Sequence, residues 1–186
     1  MKEQLRYKYK VKRRYFQHSA REVADGAISD IIAEAFSHND SFLVYFSYGT
    51  EADTHAIINR LIAAGKSVYL PRVEGENIVP VRYFGDENTL VKNSYGIYEP
   101  QGQAFLGGIE VCITPLLAVN SRGFRLGYGG GYYDRYFSAN PQILRVGAGY
   151  FLQYTDEAFE EAFDKPLDLF VCERGIINFV REKRTD

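Results

Sequence analysis

The chain has 186 residues, 46% of them hydrophobic and 15% aromatic, with a formal net charge of -2. That length suits one domain with a sizeable core, residues 1–186 as a single unit, and the near-neutral balance excludes a surface that is polyanion-binding as a whole. Cys112 and Cys172 each lie inside an apolar run, so they read as small buried hydrophobes and not as a disulfide or a metal pair. The charged N-terminus has no apolar signal core, and no run approaches the roughly 18 apolar residues of a membrane span, so no membrane contact and a reducing, cytoplasmic setting are expected.

Residues 1–14 hold Lys2, Arg6, Lys8, Lys10, Lys12, Arg13 and Arg14 against Glu3 alone. Lys2, Arg6, Lys10 and Arg14 recur every four residues, which places them along one face of a helix. Like charges so spaced repel, so the stripe points either to a solvated helix or to an anionic partner, a polyphosphate or a nucleic acid. The basic excess stops at Arg14, which disfavours nucleic acid.

Ser19-Ala-Arg-Glu22 has the form of a capping box and opens a second helix, with Val23, Ala27, Ile28, Ile31, Ile32 and Ala35 on its apolar face. Phe42–Phe46 is a short continuous apolar run, a buried strand. Ser47–Glu51 forms a loop into a helix capped by Thr50, with Ile57, Ile58, Leu61 and Ile62 facing inward and Gly65 ending it. Ser67–Leu70 is the next buried strand, closed by Pro71-Arg72. Strand, helix and strand in this order predict a βαβ unit and a parallel sheet, whose ligands sit beyond the carboxyl ends of the strands. Ile78–Tyr83 reads as an edge strand marked by Pro80, and 95–100 as an extended loop. Val111–Pro115 is a buried strand that Leu116–Val119 extends. Ile143–Val146 is another strand, 156–163 a short amphipathic helix, and 168–172 with 176–180 a hairpin on the sheet edge.

The most informative stretch is Gly123-Phe-Arg-Leu-Gly-Tyr-Gly-Gly-Gly-Tyr-Tyr-Asp-Arg135, leading into a helix over Tyr132–Phe137. Neither a packed strand nor a helix tolerates five glycines in thirteen residues, and a flexible linker does not carry two arginines, an aspartate and three tyrosines. The stretch is either a loop whose N–H groups approach an anionic ligand or a tight turn. It lacks the Gly-Lys-Ser/Thr of a Walker loop and the context of a dinucleotide fingerprint. Three scattered histidines and two distant cysteines do not make a zinc site, and no Gly-x-Ser-x-Gly elbow is present. Cations, a glycine cradle and isolated carboxylates fit a polyphosphate with Mg²⁺ better than covalent catalysis.

The glycine stretch resembles the loop of the 5-formyltetrahydrofolate cyclo-ligase family. Further landmarks stand in the family's order: Lys2-x-x-x-Arg6, Phe46-Ser-Tyr-Gly-Thr-Glu51, Gly65-Lys-x-x-x-Leu-Pro-Arg72, Gly96-Ile-x-Glu-Pro100 and Leu167-Asp168. The resemblance implies a single three-layer α/β/α domain with a mostly parallel central sheet and the C-terminal edge hairpin. It also implies ATP- and Mg²⁺-dependent closure of 5-formyltetrahydrofolate to 5,10-methenyltetrahydrofolate, in a monomer. Carried over by position, Lys2, Arg6, Arg125, Leu126, Gly127, Tyr128, Gly129, Gly130, Gly131, Tyr132 and Tyr133 would hold ATP, with Arg125 catalytic. Phe46, Glu51 and Tyr128 to Tyr132 would meet the folate, and Asp134 and Asp168 would bind Mg²⁺. Tyr132 and Tyr133 could instead be core aromatics.

Some family members carry basic residues where this chain has Tyr128 and Gly130, which leaves Arg125, Arg72 or Arg135 to meet the γ-phosphate. Glu110 and Asn120 also depart from the family's usual residues and read as structural. Two other functions are consistent with the residues: a folate-binding or storage protein with weak catalysis, and a nucleic-acid module using the basic helix.

Overall fold

Phe42–Val44, Val68–Leu70, Val111–Ile113 and Phe170–Cys172 are buried on both faces, the condition of a parallel sheet with cover above and below. The computed structural model describes residues 1–94 and 96–179. Tyr95, at the start of the expected extended loop, and Val180, at the end of the expected last strand, lie outside the described residues.

In chain order the elements are α1 (Lys2–Arg14), α2 (His18–Ala35), β1 (Ser41–Val44), α3 (His55–Ala63), β2 (Ser67–Glu74), β3 (Asn77–Arg82), β4 (Leu90–Lys92) and β5 (Tyr98–Pro100). There follow β6 (Val111–Thr114), β7 (Ala118–Asn120), β8 (Arg125–Leu126), α4 (Tyr132–Ala139), β9 (Leu144–Ala148), β10 (Tyr154–Thr155), β11 (Leu169–Cys172) and β12 (Gly175–Asn178). The main sheet has the order β12-β11-β9-β6-β1-β2-β3. Pairing is parallel from β11 through to β2 and antiparallel at the two edges. The expected three layers, parallel centre and edge hairpin are therefore present.

Alternation along the strands builds one core on each face. Phe42, Val44, Val68, Leu70, Val111 and Ile113 pack with Ile28 and Ile32 of α2 and Ile57, Ile58 and Leu61 of α3. Leu43, Tyr69, Cys112, Phe170 and Cys172 pack on the other face with Phe137 of α4. Both cysteines are free and buried.

Six local expectations are corrected. The capping box does not form: α2 starts at His18 after Gln17, with no side-chain cap. Arg21 instead donates to the carbonyls of Arg13 and Phe16, closing the end of α1. The apolar face of α2 is rotated, burying Ala24, Ile28, Ser29 and Ile32 and leaving Val23 76% exposed. Its Asp25 must face Tyr150 and Asp53, which donate to its carboxylate from Oη and the backbone N. Thr50 does not cap α3; Thr54 stands at that position, and Thr50 accepts from Arg13 Nε. Pro71-Arg72 does not close β2, which runs on to Glu74 because β3 pairs with it along that length. Leu116–Val119 does not extend β6, since β7 leaves for a small sheet with β8 and β10. The sixth concerns 156–163, which is irregular. Its Phe159 is buried with Leu5 and Tyr9 of α1, and side chains hold its backbone: Thr155 Oγ1 accepts from Glu157 N, and Asp164 from Glu161 N.

Burial is the first cause raising the Asp25 carboxyl above its usual 3.8, against the opposing bonds from Asp53 and Tyr150. A folded-state pKa above the unfolded one means that this group's contribution to stability is complete below the unfolded value and is lost as pH rises through the folded value. Asp25→Asn is therefore expected to match or exceed the parent in Tm at pH 7, with its relative advantage shrinking as pH falls toward 3.8. Tm measured against pH checks this; an advantage that grows on acidification contradicts it.

Candidate active site

Where β1, β2 and β6 end, the chain leaves a cleft of about 1490 Å³. That exceeds the roughly 300–1,000 Å³ of common small-molecule pockets and leaves room for two substrates. One wall is α1, the floor is the loop from Arg125 to Asp134, and the far side is formed by 45–51 with Ile97–Glu99.

The helix lies where it does because Leu5 and Tyr9 are buried, one turn apart, in a cluster with Leu117, Leu126 and Phe159. That packing turns the Lys2, Arg6, Lys10 and Arg14 stripe into the cleft. The four cations are not equivalent. Lys2 is already neutralised, with Nζ 2.8 Å from Asp164 Oδ2 and 3.0 Å from Glu161 Oε2. Arg6 Nε donates to Gly127 O at 3.0 Å and so fastens the glycine loop to the helix. Lys10 lies 5.7 Å over the Tyr128 ring. Lys10 and Arg14 are exposed and form no ion pair with a described carboxylate.

Arg13 continues the buried stripe of Leu5 and Tyr9 and is only 5% exposed. Its Nε donates to Thr50 Oγ1 at 3.0 Å, Nη1 to Leu116 O at 3.3 Å and Nη2 to Tyr128 Oη at 2.8 Å. Tyr128 Oη in turn donates to Glu51 Oε1 at 2.5 Å, and Glu51 Oε2 accepts from Tyr48 N at 2.9 Å. Burial first, then the Glu51 charge, pushes the Tyr128 hydroxyl well up, so it stays protonated as a donor at neutral pH. A continuous chain of charge-assisted bonds thus joins helix, glycine loop and the loop after β1. Sequence reasoning missed Arg13. Its signal was the i, i+4, i+8 spacing with Leu5 and Tyr9, masked by neighbouring cations.

The glycine loop is held from both sides. Gly129 has φ +109° and Gly131 φ +66°, and the Arg6 guanidinium lies where a Gly129 Cβ would meet it at 3.5 Å. Gly131 immediately precedes α4. Arg135 donates to Gly130 O at 2.8 Å and to Glu76 O at 2.6 Å, tying the loop to the β2–β3 turn. Leu126, Gly127, Tyr128, Gly129, Gly130, Gly131, Tyr132 and Tyr133 all line the cleft. Tyr133 is partly buried and packs against the core under α4, and burial is the main cause raising its hydroxyl.

Arg125 lines the cleft with its side chain 5% exposed. Its Nη2 lies 3.1 Å from Asp134 Oδ1 and its Nη1 donates to Lys165 O at 3.1 Å. Arg72 and Arg135 are both engaged on backbone carbonyls, and Arg72 stands outside the cleft lining. Glu110 and Asn120 are structural, capping the backbone at Asp40 and at 122–124.

Phe46 stands opposite the loop, 4.3 Å from the His55 ring and 6.1 Å from that of Tyr98. Glu99 also lines the cleft, with Oε1 accepting from Val73 N at 3.0 Å and from Asn93 Nδ2 at 2.9 Å. The two predicted metal carboxylates are held differently. Asp134 faces the cleft, whereas Asp168 does not line it and grips Arg145 at both oxygens, 2.6 and 3.0 Å. Among the described residues no group of three metal-ligating side chains exists. A single carboxylate beside a polyphosphate still fits Mg²⁺, which takes one or two carboxylates and fills its other positions with phosphate oxygens and water. Among those residues, too, no helix is long and apolar enough to cross a membrane.

Comparison with known proteins bears on the same residues. The family model described as 5-formyltetrahydrofolate cyclo-ligase matches residues 1–173. A curated 5-formyltetrahydrofolate cyclo-ligase of Haemophilus influenzae is 32% identical over 160 residues, 81% of this chain and 84% of that protein. Its counterpart from Escherichia coli K12 is 34% identical over 141 residues, 69% of this chain and 75% of that protein. The solved 5,10-methenyltetrahydrofolate synthetase of Aquifex aeolicus superposes with a TM-score of 0.85 at 25% identity, covering 100% of this chain and 96% of that one. The solved 5,10-methenyltetrahydrofolate synthetase of Mycoplasma pneumoniae shares the fold, with a TM-score of 0.73 at 19% identity over 92% of this chain and 98% of that one.

Proposed function

The chain belongs to the 5-formyltetrahydrofolate cyclo-ligase family and converts 5-formyltetrahydrofolate to 5,10-methenyltetrahydrofolate, and we propose that it does so in this cleft at the expense of ATP. The observation that carries the reading is the joint wall made by α1, the glycine loop and Glu51, linked through Arg13 and Tyr128. A basic surface and a carboxylate–aromatic surface thus meet on two sides of one residue, which supports the reading.

In this reading the formyl oxygen of the substrate takes the γ-phosphoryl group, which makes the formyl carbon electrophilic. N10 donates its electron pair to that carbon and loses its proton, and the C–O bond breaks with its electrons leaving on phosphate. Phosphoryl transfer needs positioning and charge neutralisation more than covalent help. Arg6, Lys10, Arg14 and the N–H groups of 127–131 supply the positive surface. Arg125, fixed by Asp134 and Lys165, supplies a buried cation beneath the loop. Phe46 and Tyr98 hold the folate ring system, and Glu51 accepts from its donor edge. Asp134, with the phosphates, is the residue that would hold Mg²⁺, which supplies charge neutralisation at the transferring group.

Asp134→Asn is expected to raise the Mg²⁺ concentration for half-maximal activity by about 10-fold or more. Asp168→Asn, which breaks the grip on Arg145, is expected to cost about 2 kcal/mol of stability and to leave that Mg²⁺ requirement unchanged. A metal titration of activity with parallel melting curves separates the two. A raised Mg²⁺ requirement in Asp168→Asn, without a lower Tm, returns Asp168 to the metal.

The proposed reaction is tested by mixing protein, 5-formyltetrahydrofolate, ATP and Mg²⁺ and following the methenyl chromophore with ADP and phosphate release. Equimolar methenyl product and ADP are expected. Binding of both substrates without the chromophore overturns the reading in favour of a folate-storage protein.

A further inference from the structure

We propose that Tyr150 is a positioning residue for Glu51, holding its main chain from beneath the cleft; this rests on the reading of Glu51 as the carboxylate that meets the folate. Glu51 lies between β1 and α3, and its side chain is held at the cleft by Tyr128 Oη on Oε1 and by Tyr48 N on Oε2. Its carbonyl is held separately. Tyr150 Oη donates to Glu51 O at 3.2 Å and to Asp25 Oδ1 at 2.9 Å. The Tyr150 ring is fully buried and stands outside the cleft lining, so it acts on a substrate only through the residues it holds.

The hydroxyl rests on a support able to fix a position. Tyr150 N donates to Gln153 Oε1 at 2.8 Å. Gln153 is 1% exposed, and its Nε2 donates to the carbonyls of Leu116 and Leu117 at 2.8 and 3.1 Å. Leu116 O is also an acceptor of Arg13. The support under the Glu51 carbonyl and the Arg13–Tyr128 link to its carboxylate therefore share one anchoring carbonyl. Phe16 packs on the Tyr150 ring with centroids 4.8 Å apart. Next to it, a Cβ at Gly149 would meet Gln153 Oε1 at 2.9 Å, so the segment has little slack. Asp25 Oδ1 accepts from Asp53 N at 3.0 Å as well as from Tyr150, so one carboxylate of α2 braces the loop at two points. Burial first, then the Asp25 charge, raises the Tyr150 hydroxyl, which keeps it a donor.

Packing alone does not call for this arrangement. Phenylalanine at 150 would fill the same space against Phe16, with no carboxylate needed beneath the loop. Drawing Asp25 inward costs free energy. A polar pair kept under a ligand loop at a cost in stability points to the geometry of that loop as what it serves.

Tyr150→Phe removes one oxygen and keeps the ring. At a temperature where it is folded, it is expected to raise KM for 5-formyltetrahydrofolate by about 5- to 10-fold, the worth of one buried hydrogen bond. KM for ATP is expected to stay within about twofold of wild type, and the loss to fall on the folate KM and not on kcat. Glu51→Gln is expected to raise the same KM, and adding Tyr150→Phe to it to raise it no further, because the two act through one contact. An unchanged folate KM in Tyr150→Phe, or effects that multiply in the double variant, overturns the inference, while the rise in Glu51→Gln leaves the Glu51 reading standing. If Glu51→Gln itself leaves the folate KM unchanged, the Glu51 reading fails and the inference falls with it.

Discussion

Arg13→Leu is expected to lower kcat/KM by at least about 100-fold and to lower Tm as well, the largest combined loss of any single substitution in this cleft. Leucine preserves the apolar packing beside Leu5 and Tyr9 but removes every donor. Thr50 Oγ1 and Tyr128 Oη then lose the Arg13 donor, while Leu116 O keeps the one from Gln153 Nε2. Hydrogen bonds from a charged donor are worth about 1.5–3 kcal/mol, and a buried acceptor left unsatisfied costs its desolvation. A loss of about 3 kcal/mol corresponds to roughly 6–12 °C in Tm for a domain of this size. The activity loss has a separate origin. Without Arg13, Tyr128 and Glu51 lose their fixed positions, and a displacement of about 1 Å at reacting groups can cost about 100-fold. Kinetics at a temperature where the variant remains folded separate the two effects. Tyr128→Phe is the companion variant, keeping the ring under Lys10 while cutting the link to Glu51. It is expected to lose activity with little change in Tm. Full activity in folded Arg13→Leu would reduce Arg13 to a packing residue.

Gly129→Ala is expected to abolish most turnover, again by about 100-fold or more, with only a small change in Tm. The backbone at Gly129 has φ +109°, which L side chains rarely adopt. Holding such a conformation costs of order 1–3 kcal/mol, and an exposed loop relieves it by moving, not by unfolding the sheet below. Movement carries the N–H groups away from the phosphates and disturbs the Arg6 contact to Gly127. About 100-fold in rate is about 2.7 kcal/mol of transition-state stabilisation, which a displaced anion cradle can account for. Gly127→Ala is the informative control. Its backbone is not in the positive-φ region and nothing stands within 4 Å of a Cβ there. If conformation is what matters, this variant folds normally and keeps its activity. If it also loses activity, the ligand itself occupies the space of the missing Cβ. Steady-state kinetics with ATP varied distinguish the two.

The parts of this protein that were legible in the sequence are those where one physical requirement dominates. Strands buried on both faces have no polar side to display, so 42–44, 68–70, 111–113 and 169–172 announced themselves as continuous apolar runs. The Lys2–Arg14 stripe was legible because the helical period and the cleft wall coincide. The glycine density at 123–131 was legible because nothing but close backbone approach or positive φ requires it. What escaped was decided by partners distant in the chain. Arg13 is a core residue because Thr50, Leu116 and Tyr128, 37 to 115 positions away, accept its hydrogen bonds. Asp168, where the family resemblance puts a metal ligand, is gripped at both oxygens by Arg145, 23 positions away. The face of α2 was misplaced by about one residue because Asp25 is drawn inward by Tyr150. The amphipathic period at 156–163 was real, but Phe159 finds its burial against α1 without a helix. Leu116–Val119 is as apolar as a main-sheet strand, and only the small sheet formed with β8 and β10 diverts it.

Both large predictions rest on one chemical claim, that the formyl oxygen is activated by phosphorylation within this cleft. The most direct measurement follows that oxygen. With 5-formyltetrahydrofolate carrying ¹⁸O in the formyl group, turnover with ATP and Mg²⁺ in unlabelled water is expected to place one ¹⁸O in each inorganic phosphate released, read by mass spectrometry. Unlabelled phosphate, with the isotope lost to water while the methenyl product still forms, would contradict the claim.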